Sequence, residues 1–187
     1  VTNSAAGITS RLTINTAAPR LYRGSIIGDI ELVKTGTGMQ ELRGISTYTG
    51  QTIVSNGTLR LNGAHFGGGQ YSVMSGATLS GTGLIDAAVH ILAGGIVAPG
   101  ATSGSLVTSN TFELDGTLQI ELQNSGGLAG LSDLLDVNGL FDITNGTLQF
   151  VFGGSMTNAF YLFAEYDALS GASFANVINL PSGYSID

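Results

Sequence analysis

Apolar residues alternate with small polar ones in short runs along most of the chain, and turn glycines interrupt the runs at regular intervals. "NGTLRLNG" at 56, "GATLSGTG" at 76, "GGIVAPG" at 94, "DGTLQIEL" at 115 and "NGTLQFVF" at 145 are variants of one phrase. Alternation with a period of two places successive side chains on opposite faces of a strand. With Gly57, Gly76, Gly95 and Gly116 as markers the steps are 19, 19 and 21 residues, and Gly146 follows 30 residues on, after the insertion "QNSGGLAGLSD". A hairpin array would return adjacent strands after about ten residues, whereas steps near twenty fit one turn of a solenoid. The expected fold is therefore all-β, a right-handed parallel β-helix of about six coils. Ile53, Leu59, Leu61, Leu79, Leu118 and Ile120 are expected to point inward, with Thr, Ser, Asn and Gln outward. No amphipathic helix is expected, and "LLDVNGLFDI" reads as strand, turn, strand.

The pattern weakens at both ends. Residues 1–28 hold a single strand-like piece, "ITSRLTI", Ile8 to Ile14, and read as an N-terminal extension with a candidate donor strand. Residues 29–152 carry the β-helix. Residues 153–187 read as a C-terminal β cap rich in aromatic residues.

"LVKTGTGMQELRGISTYTGQTIVSNGTLRLNG", Leu32 to Gly63, resembles the autotransporter-associated β-strand repeat of bacterial surface and secreted proteins. Leu32, Lys34, Gly36, Gly38, Leu42, Gly44, Tyr48, Gly50, Thr52, Val54, Gly57, Thr58 and Leu59 match its pattern. "GGIVAPGATSGSLVTSNTFELDGTLQIEL" is similar to the coil that follows in such proteins, and "DLLDVNGLFDI" and the closing segment to their C-terminal end. The resemblance implies a β-helix and an extracellular or cell-surface location. It implies no activity, since such repeats serve mostly as stalks, spacers and surface fibres.

Composition narrows the function classes. Of 187 residues 29 are glycine and only 10% are charged, while 43% are hydrophobic. That is too apolar for disorder, and no apolar run approaches the ~18 residues of a membrane-spanning helix, so no membrane insertion is expected. Cysteine is absent, which excludes disulfides and thiol chemistry. The net charge of −7 argues against a nucleic-acid partner. All six basic residues fall within the first 60, with three acids; from Leu61 onward there are ten acids and no Lys or Arg.

Candidate chemistry is sparse. Asp133, Asp136 and Asp142 form the one local acid group, and no basic residue follows Arg60 to serve beside it. Capped turns are expected there rather than catalysis, and no catalytic residues are assigned. His65 and His90 lack ligand-like spacing, so neither a metal nor a cofactor is expected. Phe150, Phe152, Phe160, Tyr161, Phe163 and Tyr166 either cap the last coil or stack on sugars.

The expected function is that of a non-enzymatic extracellular β-solenoid that assembles head to tail with copies of itself. Its candidate subunit interface is Ile8, Arg11, Leu12, Ile14, Arg20 and Arg23. The alternative is a monomeric passenger stalk or a glycan-binding adhesin module, with extracellular glycans or matrix as partners. Pairing of the N-terminal strand within its own chain stands against pairing with a neighbour.

Overall fold

One column of side chains orders the whole molecule. Leu12, Leu32, Thr52, Tyr71, Val89, Phe112, Phe141 and Leu169 lie one above another in parallel register. These positions come from a computed structural model that describes residues 1–5, 7–100, 104–124, 131–154 and 156–187. Successive offsets along the column are 20, 20, 19, 18, 23, 29 and 28 residues, so each member opens one coil. The molecule is a parallel β-helix, as the alternation and the marker spacing require. Among the described residues there is no helix.

Each coil has three faces. The first carries short strands such as Ile30–Thr35, Thr52–Val54, Tyr71–Val73, Val89–Ile91 and Phe112–Leu114. The second carries Gly57–Leu61, Ala77–Gly81, Ile96–Pro99, Thr117–Gln123 and Thr147–Phe152. The third carries Ile45–Tyr48, Ala64–His65, Leu84–Ile85 and Ser105–Thr108. Leu134–Asp142 bends through the corner between the third and first faces: its start pairs with Ser105–Thr108 and its end with Phe112–Leu114. The expected strand, turn, strand is thus one bent strand.

Six members of the opening column fall between residues 29 and 152, with one more on either side. The stacking therefore passes through both expected domain boundaries. Ala164–Ser170 and Asn176–Ile178 add parallel strands to Leu134–Asp142 and Thr147–Phe152. The N-terminal segment also departs from a free donor strand. Ser10–Asn15 pairs residue for residue with Ile30–Thr35, and Val1 and Asn3 exchange backbone hydrogen bonds with Ile27. The alternation that suits a neighbour's sheet edge suits the chain's own next coil equally, and a partner on the same chain has only a short loop to close.

The interior is filled by the apolar positions of all three faces. Leu59, Leu61, Leu79, Leu118 and Ile120 are buried as expected, each worth roughly 1.5–3 kcal/mol of transfer free energy. Ile53 is the exception. It faces outward, and its neighbours Thr52 and Val54 are the buried pair. A polar cluster inside the corner explains the reversal: the Tyr48 hydroxyl lies 2.5 Å from Thr52 Oγ1 and 3.2 Å from the Tyr71 hydroxyl. Thr52 is buried because it has an internal hydrogen-bond partner, which apolar patterning does not encode.

Two features account for the matched phrase at 32–63. Lys34 occupies an inward column between Ile14 and Val54, fully buried. Its Nζ donates to the carbonyls of Thr35, Gly36 and Asn56 at 2.6, 2.9 and 3.1 Å, tying the corners of two consecutive coils together. At the corner between the second and third faces Gly24, Gly44, Gly63 and Gly83 stack. A Cβ on any of the upper three would run into the backbone carbonyl of the glycine below. Glycine there is a matter of close approach between coils.

Candidate functional site

The expected subunit interface is spread over the first coil. Arg11 projects outward, and its Nε donates to Glu31 at 2.6 Å while Gln51 donates to the other Glu31 oxygen at 2.9 Å. This ladder spans three coils and holds the Glu31 carboxyl below the usual carboxylate range, chiefly through Arg11 and then Gln51. Leu12 and Ile14 point inward and pack on the core. Ile8, Arg20 and Arg23 are exposed. The six residues therefore divide between an outer ladder, the interior and free surface.

The acid group is likewise dispersed. Asp142 accepts from Thr144 N at 3.0 Å and Thr144 Oγ1 at 2.6 Å, the turn cap that was expected, and this lowers its pKa. Asp136 lies on the third face, opposite Val107. Asp133 is buried, and its Oδ2 accepts the Glu121 amide at 3.0 Å. Burial pushes its carboxyl up to about 6.

Asp133 lines a cleft of about 250 Å³ on the outside of the second face with Thr58, Arg60, Ser80, Gln119 and Glu121. Arg60 Nε, Ser80 Oγ and Asp133 Oδ1 are buried there with no hydrogen-bond partner among the described residues. Stacking places Arg60 on the wall of the same cleft from three coils away, and the distance in sequence hides that shared lining.

The two histidines differ. His65 is wholly buried in the corner cluster: its ring stacks on Tyr48 with centroids 4.0 Å apart, and Nε2 lies 2.8 Å from the Tyr48 carbonyl oxygen. Burial depresses its pKa. His90 faces out on the first face, directly opposite Glu113 on the next coil. Its Nε2 is 2.8 Å from Asp115 Oδ2 and its Nδ1 3.6 Å from Glu113 Oε2. Asn145 donates to the second Asp115 oxygen at 2.9 Å. These contacts, Asn145 first and then His90, hold Asp115 below its ordinary pKa. His90 is therefore not isolated. Its partners lie one coil away, at an offset visible only once the coil length is known.

The aromatic run both caps and lines a groove. Phe150 is core, and Phe163 meets it edge-on with centroids 5.7 Å apart. Tyr166 is exposed, and Tyr161 half-buried beside Tyr184. Both tyrosines line an apolar groove of about 580 Å³ against Phe141, Phe150, Phe163 and Phe174.

Residues 32–61 match the Passenger-associated-transport-repeat family, and they contain Lys34, Gly44, Tyr48 and Thr52 of the corner contacts above. Over 145 residues the chain is 32% identical to the Adhesin BmaC autotransporter of Brucella suis biovar 1 (strain 1330), a match covering 75% of this chain. The chain spans about 4% of the length of that relative.

Proposed function

Because this chain belongs to an autotransporter-associated repeat family, we propose that it is a rigid β-solenoid segment of a surface-exposed or secreted bacterial passenger, without catalytic activity. One observation carries the reading. A single column of eight residues runs through the stack in unbroken parallel register. Eight coils at ~4.8 Å each give a rod roughly 34 Å between first and last rungs. Such a rod holds whatever it carries at a set distance from the cell. Asp133 favours the absence of catalysis: it is buried, with one oxygen committed to a backbone amide. Incubation with pectin, alginate and chitin, with and without calcium, is expected to release no sugar. Turnover that disappears in Asp133→Asn would refute the non-enzymatic reading.

The finer part of the proposal is that copies stack end to end, the basic first coil against the acidic last coils. The contact would add a coil rather than exchange a strand, since Ser10–Asn15 already has its partner. Light scattering over a concentration series, with negative-stain microscopy, is expected to reveal elongated species. Arg20→Glu with Arg23→Glu should return them to monomers. A wild-type chain that stays monomeric at the highest concentration would sink the stacking proposal. The groove beside Tyr161 and Tyr166 favours a second reading, glycan binding. Saccharide binding lost in Tyr166→Ala would support it.

A further inference from the structure

We propose that His90, Glu113 and Asp115 form a binding site for a divalent transition metal of the zinc class on the outside of the first face. One ligand atom from each of the three lies within 4.8 Å of the other two. Tetrahedral zinc, with bonds of about 2.0–2.2 Å, needs ligand atoms roughly 3.3–3.5 Å apart. Asp115 meets the Nε2 side of the His90 ring and Glu113 the Nδ1 side. Glu113 is 50% exposed, so its carboxylate can swing round to join Asp115 on an ion held by a single ring nitrogen without moving the backbone. The backbone already sets the rest. His90 and Glu113 stand opposite each other on adjacent coils, and Asp115 follows two residues later with one oxygen steered by Asn145. That last contact is the outer support that ligating carboxylates need.

Electrostatics independently call for a cation here. Glu113 is in register with Asp142 on the following coil, and like charges directly opposite each other destabilise a sheet. No Lys or Arg occurs after Arg60, and among the described residues His90 is the one basic side chain within ion-pair distance of Glu113 and Asp115. A divalent ion would neutralise Glu113 and Asp115 together. One imidazole nitrogen with two carboxylates suits zinc, cobalt or nickel, whereas calcium takes six to eight oxygens. On binding, the ring nitrogen facing the ion carries no proton, and any proton it held is released to solvent.

His65 is fully buried, which leaves His90 as the accessible one of the two histidines. Imidazole-dependent binding therefore reports on His90 alone. The experiment is calorimetric titration of the whole chain with zinc, paired with cobalt titration read by visible absorption. One equivalent of zinc is expected, with a cobalt spectrum of tetrahedral type, neither displaced by excess calcium. His90→Ala and the pair Glu113→Gln, Asp115→Asn should each weaken binding at least tenfold, and Asn145→Ala about tenfold through its support of Asp115. Circular dichroism should be unchanged in all of them, since the side chains lie outside the core. Failure of the wild type to bind at millimolar metal, or undiminished affinity in His90→Ala, would overturn the proposal.

Discussion

The stacked glycines predict a sharp contrast between two Gly→Ala substitutions. At Gly63 a Cβ would lie 2.6 Å from the Arg43 carbonyl carbon, 2.7 Å from its oxygen, and closer still to the Gly44 oxygen. All three atoms belong to the backbone of the coil below, so none can swing away as a side-chain tip could. Relief requires the two coils to part at this corner by on the order of 1 Å. Three backbone hydrogen bonds cross it: Asn62 N to Leu42 O at 2.9 Å, Gly63 N to Leu42 O at 3.1 Å and Ala64 N to Gly44 O at 3.3 Å. Weakening these at about 1 kcal/mol each, with some loss of packing around Leu61 beneath, gives a cost of roughly 3–4 kcal/mol for Gly63→Ala. Gly76 is the control. It has φ of +78° and open space where its Cβ would go, so Gly76→Ala meets only the left-handed backbone penalty of about 1–2 kcal/mol. Urea unfolding followed by far-ultraviolet circular dichroism, with slopes compared to confirm a common unfolded state, measures both. Equal costs for the two variants, or less than about 1 kcal/mol for Gly63→Ala, would refute close approach as the reason for the glycine column.

Two further predictions concern pH. Asp133 titrates near 6 in the fold against 3.8 for an ordinary aspartate, through burial. The folded state therefore binds the extra proton between those values, and stability is gained as pH falls through 6 toward 3.8. A shift of about two units corresponds to roughly 3 kcal/mol as an upper bound, so Asp133→Asn should stabilise the protein by up to that amount at pH 8 and by nothing at pH 4. Equal stability of variant and parent at pH 8 would remove the burial penalty from the account. His65 acts in the opposite sense. Its pKa is depressed by burial, so the unfolded chain takes up the proton first and stability falls as pH drops below about 6.5. In the Asp133→Asn background, where the opposing carboxylate is gone, His65→Phe should keep the ring stack on Tyr48 and abolish that acid-side loss. An unchanged slope would mean that His65 accepts a proton inside the fold.

What the sequence made legible, and what it hid, follows from the geometry of a solenoid. Alternation decides which residues of a coil face inward, and it succeeded at Leu59, Leu79 and Leu118, where burial is apolar. It failed at Ile53, because the neighbouring Thr52 is held inside by the Tyr48 and Tyr71 hydroxyls. Hydroxyl pairs of that kind leave no trace in a hydrophobic pattern. The lysine of the repeat was legible as a motif position but not as a buried cation, since its three carbonyl partners belong to the corners of two coils, the farthest 22 residues from the lysine itself. Outer surfaces were the least legible part. Functional groups there are assembled along the stack, and neighbours in space are separated in sequence by one coil length. That length varies here from 18 to 29 residues. His90 meets Glu113 and Asp115 at offsets of 23 and 25, and Arg60 reaches the cleft of Asp133 from three coils away. Fixed-spacing motifs, which serve for sites built on one helix or one loop, have no purchase on such surfaces. The informative spacing is the register of the backbone itself, and once it is known a carboxylate one coil after a histidine becomes as readable as a pair of ligands on a single turn of helix.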